Sequence, residues 1–367
     1  MEKRYIFILI WIGFFYLLSK SMSFQHKETV LDENVERYNW TIAIIIFIPV
    51  VWMAANRGQY FSDSALYAYH YDNDFQPVTF EYIKNAIKGQ GKDWGYGILV
   101  STIKRIFGGD YKRYFMVMSV LQGIPLIKFL RKYSSNYIFS FFLFIAATDY
   151  IGWMFNGMRQ FTAIVIVLLA APYMFEKKYV RAILLVLLAM TMHQSAMIVI
   201  PFIFIAQGKA FNKKTMLFIL GAILAVTFVT QFSDILGDAL ENTQYDGYIE
   251  KSGAWNSGTS PFRVIIYSFP ALFAFYGRKT IREKGGTLIN FCANMSVATA
   301  GIYLIAMFTS GILMGRVPGY FFLFGYVLLP WEIENLFPPA TKKTVYFCTI
   351  AGYLAYYYNQ AHGMGVL

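Results

Sequence analysis

Charge is what this sequence has least of. Asp, Glu, Lys and Arg make up 14% of its 367 residues, whereas a soluble domain uses about a quarter to keep water on its outside. With 57% hydrophobic residues, an ordinary water-facing surface is excluded. Cysteine is nearly absent. Cys292 and Cys348 each lie inside an apolar stretch, which rules out a disulfide framework and a CxxC metal site. No GxxxxGK, HExxH or GxSxG signature occurs. An ATP-driven pump is therefore not expected, and chemistry must draw its free energy from an activated, lipid-linked substrate. Low-complexity linkers and internal repeats are missing too, which favours a single integral membrane domain over 1–367.

What the chain does have is apolar blocks of a length suited to crossing about 30 Å of hydrocarbon as helix. They run from Tyr5–Leu18 and Trp40–Ala55 through Tyr114–Leu130, Tyr137–Phe155, Gln160–Phe175, Ala182–Ala206 and Met216–Gln231. Arg263–Tyr276, Leu288–Phe308, Tyr320–Trp331 and Val345–Tyr358 complete the series. The expected fold is all-α: a polytopic helical membrane bundle of roughly 11–13 transmembrane or re-entrant helices. The first block, behind Lys3 and Arg4, reads as a retained helix rather than a cleaved signal.

The net charge of +11 reports topology, not nucleic acid, because cytoplasmic loops collect Lys and Arg. Five clusters fall between blocks: Lys128/Arg131/Lys132, Lys177/Lys178/Arg181, Lys209/Lys213/Lys214, Arg278/Lys279/Arg282/Lys284 and Lys342/Lys343. With all five inside, the outer segments are 56–113, 156–160, the point around His193, 232–260 and 309–319. Alternation then puts the N-terminus outside. The 95–107 stretch is short and ends in Lys104 and Arg105, so it reads as re-entrant or interfacial. The 181–206 block is positive at both ends and polar at its centre. It reads as a pair of short or broken helices with His193 at the apex, a backbone that membranes tolerate only inside protein or beside a cavity.

Polar residues at membrane depth are costly, so each asks for a partner or a task. Arg159 follows Asn156, which is placed to cap the next helix; a helix N-terminus beside a guanidinium suits phosphate. Arg316 opens another outer turn, and the two arginines together suit a diphosphate. Snorkelling to headgroups is the plain alternative for both. His193 is the only histidine within an apolar block and reads either as a core histidine or as a phosphate donor and proton shuttle. The outer 57–93 segment gathers Asp63, Asp72, Asp74, Glu81 and Asp93 with Tyr60, Phe61, Tyr67, Tyr69, Tyr71, Phe75 and Tyr82, and Trp94 follows directly. Aromatic faces beside carboxylates suit sugar rings, although an interfacial belt has the same composition. The tripeptide Asp72-Asn73-Asp74 matches the DxD of soluble sugar transferases but lies on the outer side, away from nucleotides.

In order, Arg57…Ser62-Asp63…Tyr67, Asp93-Trp94-Gly95-Tyr96, Asn156-Gly157-Met158-Arg159-Gln160…Ala163, His193-Gln194-Ser195-Ala196 and Arg316…Tyr320 resemble the EpsG family. That family groups with the Wzy-type polymerases of O-antigen, capsule and exopolysaccharide. The likeness covers about 40–330. Ser64 departs from it, standing where the family usually has an aromatic, and a Gly before Ser62 is missing. A GT-C-like arrangement is compatible with this resemblance. It implies a glycosyltransferase of the bacterial inner (cytoplasmic) membrane that joins undecaprenyl-diphosphate-linked oligosaccharides, as donor and acceptor, at the periplasmic face. Catalytic roles then fall to Asp63 as base, Arg159 and Arg316 as diphosphate grips, and His193. Tyr67, Asp93, Asn156, Gln160 and Tyr320 become substrate-binding residues. Two cations already offset a diphosphate, so no metal or other cofactor is expected. Expected partners are membrane lipids, a chain-length regulator and a flippase. A membrane O-acyltransferase of surface glycans, or a lipid-linked oligosaccharide flippase, is the competing reading.

Overall fold

The computed structural model describes residues 2–31, 33–59, 62–74, 78–85, 87–88, 93–241 and 258–365. Tyr60, Phe61 and Phe75 of the aromatic segment, and residues 242–257 of the second outer segment, lie outside them. The described residues are almost wholly helical, in keeping with the all-α expectation, with one small hairpin added. Among the described residues, four helices are long and apolar enough to cross a membrane: Arg4–Ser21, Tyr111–Tyr133, Met158–Phe175 and Gly286–Phe308. Two bent pairs raise the number to as many as 6, and shorter apolar helices cover Trp40–Asn56, Tyr179–Met192, Gln194–Ile205 and Pro261–Tyr276. Side chains such as Ile10, Leu17, Val180, Leu184 and Leu217 are more than half exposed, as lipid-facing positions should be.

The chain divides into two compact units, 1–197 with 357–367, and 198–356. Unit 1 begins with α1 (Glu2–Ser21) and an antiparallel hairpin, β1 (Gln25–Val30) and β2 (Glu33–Tyr38), in register Gln25↔Tyr38. Helices α2 (Trp40–Asn56), α3 (Ser62–Asn73), α4 (Phe80–Asn85), α5 (Trp94–Phe107), α6 (Tyr111–Tyr133) and α7 (Tyr137–Ala146) follow. A π-helical turn, Tyr150–Asn156, then leads into α8 (Met158–Phe175) and α9 (Tyr179–Met192).

The starts follow ordinary capping rules. Asp110 accepts from the Arg113 N–H and Asn136 from the Phe139 N–H, which satisfies donors the first turn leaves over. The chain bends by 77° between α7 and the π-turn, at Thr148, whose φ is +62°. That break interrupts the continuous span expected over Tyr137–Phe155.

The two ends of unit 1 are chemically distinct. At one, Arg131 is 2% exposed and pairs with Glu28 at 2.8 Å. Arg37 Nε donates to the Lys132 carbonyl at 2.7 Å, so the hairpin sits with the first basic cluster. At the other end, Arg4 donates to the Asn56 carbonyl at 3.1 Å. The start of α1 therefore lies at the same end of unit 1 as Asn56 and Arg57.

Unit 2 contains α10 (Val199–Ile205), α11 (Lys213–Thr227), α12 (Val229–Leu240), α13 (Pro261–Tyr276), α14 (Arg278–Lys284) and α15 (Gly286–Phe308). A 3-10 turn, Met314–Tyr320, precedes α16 (Phe322–Leu336); α17 (Pro339–Gly363) carries the chain back to unit 1. α11 and α12 meet at 105°, so the expected 216–231 block also breaks. The turn after α10 is held by buried amides. Asn290 and Asn294 accept from the Ala210 and Phe211 N–H groups at 2.7 and 2.8 Å, and Arg282 Nε donates to the Ala210 carbonyl at 2.8 Å. Buried polar groups that find partners in this way cost little and fix one arrangement.

Candidate functional site

The end of unit 1 that carries the 156–160 turn is built around Arg159, in the first turn of α8. Its Nη1 donates to Asp93 Oδ2 at 3.1 Å, with the Asp93 side chain 2% exposed and the arginine 37%. The guanidinium also lies 6.0 Å from the centroid of the Tyr67 ring, on the second turn of α3. Asp93 Oδ1 accepts from the Gln194 N–H at 3.4 Å, immediately after the break in α9. One carboxylate thus links the start of α5, the start of α8 and the His193 apex. Asp93 stands at the N-cap of α5 with φ +53°, a left-handed conformation that a non-glycine residue adopts at a cost of about 1–2 kcal/mol.

His193 closes α9, and its Nδ1 pairs with Ser195 Oγ at 2.7 Å. The break falls at the expected residue. Asp63 is half-buried in the first turn of α3, and its N–H donates to Asn156 Oδ1 at 3.0 Å. Asn156 was expected to cap α8 and does not: the N-cap is Gly157, and no side chain caps that turn. The π-helical turn ends one residue too early for capping and directs the Asn156 amide to α3 instead. Gln160, one residue past Arg159, is buried. Burial pushes the Tyr67 phenol above the ordinary tyrosine range, with Arg159 pulling it down; the phenol stays a neutral donor at physiological pH.

Beneath these groups lies a cation that composition alone did not single out. Arg57 is 5% exposed. Its Nε donates to Ser64 Oγ at 3.1 Å, its Nη1 to the Ala54 carbonyl at 3.2 Å, and its Nη2 lies 3.1 Å from Met158 Sδ. The guanidinium carbon stacks 3.6 Å from the Phe115 ring centroid, a close cation–π contact. Ser64 passes the connection on by donating to the Phe155 carbonyl at 3.1 Å. A large aromatic at 64 would remove that hydroxyl, which gives a physical reason for the departure from the family pattern. Tyr96 and Tyr114 share a 2.6 Å hydrogen bond, and Tyr71 stacks on Tyr114 at 4.5 Å, walling the same region with aromatics. At the far end of α3, His70 pairs with Asp74 of the DxD tripeptide; both are exposed.

Arg316 and Tyr320 belong to unit 2. Arg316 is exposed on the 3-10 turn Met314–Tyr320, and Tyr320 is buried at its end.

Helices long and apolar enough to span a membrane define a polytopic helical membrane protein, and the helix broken at a histidine and the buried carboxylate holding an arginine place a polar cluster at one end of unit 1. The chain matches the EpsG family over residues 40–366, and it belongs to that family, a Wzy-like polysaccharide polymerase family. No curated protein and no solved structure matches it.

Proposed function

We propose that this protein is a glycosyltransferase of the bacterial inner membrane that polymerises undecaprenyl-diphosphate-linked oligosaccharide repeat units at the periplasmic face. The observation that carries the reading is the Arg159–Asp93 pair at 3.1 Å. It holds a guanidinium in the first turn of a spanning helix, beside Tyr67 and the Asp63 turn. Arg159 grips the donor diphosphate and stabilises the charge it takes on leaving, the role that preorganised donors fill best. An acceptor sugar hydroxyl attacks the donor anomeric carbon; the bond from that carbon to the phosphate oxygen breaks, and its electron pair departs with the diphosphate. Asp63 takes the hydroxyl proton, a contribution of about 10²- to 10⁴-fold. His193, fixed by Ser195, orients the diphosphate or supplies a proton to it. Tyr67, with the neighbouring aromatics, supports the sugar by stacking.

Arg159→Ala tests the reading in cells. Polymer should disappear while protein level and single-repeat products persist; a normal ladder of chain lengths would sink the assignment. One observation favours membrane O-acyl transfer instead, namely the hydroxyl–imidazole pair of Ser195 and His193. A deletion strain separates the two. Loss of a polymerase leaves one repeat, and loss of an acyltransferase leaves full-length polymer without acyl groups.

A further inference from the structure

Unit 2 has a cationic corner of its own, at the start of α13. Ser260 caps this helix, accepting from the Arg263 N–H at 3.2 Å, and Pro261 occupies its first turn. The helix is 16 residues long, so the partial positive charge at its N-terminus is fully developed. Arg263, in the same turn, donates from Nε to Tyr356 Oη at 3.1 Å. Thr259, just before the cap, is 5% exposed, and its Oγ1 has no hydrogen-bond partner among the described residues. That hydroxyl faces the turn that carries Arg316: a Cβ built on Gly315 would lie 2.6 Å from it. Only glycine leaves it room. The Thr259 N–H donates to the Ala306 carbonyl at 3.0 Å, which fixes the main chain just before the cap. A buried hydroxyl left unpaired between a helix N-terminus and an arginine turn is a group seldom kept without a use.

We propose that Thr259, the α13 N-terminus, Arg263 and Arg316 form a second oxyanion site, which takes the diphosphate of the acceptor lipid. This rests on the polymerase reading, in which each bond made involves two lipid diphosphates and Arg159 grips one of them. Arg316 then serves the acceptor rather than the donor. Thr259 donates its hydroxyl to a phosphate oxygen, the helix supplies backbone donors, and the guanidinium groups supply charge.

The test uses the full-length chain in phosphatidylcholine nanodiscs titrated with farnesyl diphosphate. The parent should bind at one site beyond that lost in Arg159→Gln. Thr259→Val and Arg316→Gln should each weaken that additional site by about tenfold or more, and Thr259→Ser should retain it. Because the Thr259 hydroxyl has no partner to lose among the described residues, Thr259→Val should melt no lower than the parent, so a binding defect is not a folding defect. Unchanged binding in Thr259→Val would overturn the site. So would its displacement by equimolar phosphatidylglycerol, which would mark it as a general headgroup contact. A normal polymer ladder from Arg159→Ala would sink the polymerase reading and leave this binding result standing.

Discussion

Asp93 is buried more deeply than the arginine it holds, and each of its carboxylate oxygens has a partner: Arg159 on one, the Gln194 N–H on the other. Such a carboxylate is better placed to aim a guanidinium than to bind a sugar. Asp93→Asn keeps the shape and an oxygen for Gln194, but its amide nitrogen cannot accept from Arg159. Polymer formation in membranes should fall by about 10²-fold, the cost of a misplaced group near the chemistry, with expression unchanged. Product at the parental rate would show that Arg159 is aimed by something else. Glu332 is the opposite case. It is fully buried in α16, and neither carboxylate oxygen has a hydrogen-bond partner among the described residues. A buried polar group in that condition costs about 1–3 kcal/mol. Glu332→Leu should therefore raise the thermal unfolding midpoint, and a lower midpoint would mean that the carboxyl has a structural role.

At the scale of elements, the approach of α5 to the end of α9 holds the site together. A Cβ on Gly95 would lie 2.2 Å from Thr191 Oγ1 and 3.0 Å from the Thr191 carbonyl. Gly95→Ala must push the two helices apart and carry Asp93 with them. It should reproduce the activity loss of Asp93→Asn, and full polymerisation by Gly95→Ala would break the proposed coupling. Thr148 stores strain of a different kind, a β-branched residue at φ +62°. Thr148→Gly should raise stability by about 1 kcal/mol, read as a higher unfolding midpoint.

The spans themselves were legible because hydropathy has a length scale. The break at His193 was legible because a polar centre sits between two positive flanks. The bends at Thr148 and Phe228 were not, since the chain around each stays apolar. The 25–38 hairpin was hidden as well: Gln25-His26-Lys27-Glu28-Thr29-Val30 carries no alternating apolar face, and what holds it is the distant Arg131. Asp93 could be named from its motif but not given its task, because its partners lie 66 and 101 positions away.

For the molecule as a whole, the proposed sidedness puts the five basic clusters inside, and unit 1 keeps two chemically distinct ends. The hairpin and the Arg131/Lys132 cluster share one end, while the start of α1, Asn56 and Arg57 share the other. Those contacts tie the N-terminus to the site end, a relation that five basic residues in the first 40, three on one flank and two on the other, left open. Single-cysteine labelling reads the result directly. Cys292 is buried and Cys348 exposed, so Cys348→Ser gives a quiet background. Cysteines at Ser62, Gly157 and Gln194 should react with a membrane-impermeant maleimide added to intact spheroplasts. Cysteines at Lys27, Lys132, Lys178 and Lys284 should react only after the membrane is opened. The positive-inside rule works because translocating Lys and Arg is costly, so clusters that direct topology stay together on one side. Labelling of Gly157 and Gln194 from opposite sides would be incompatible with the Asp93 carboxylate touching both of their neighbourhoods, and the proposed chemistry at Arg159 would fail with it.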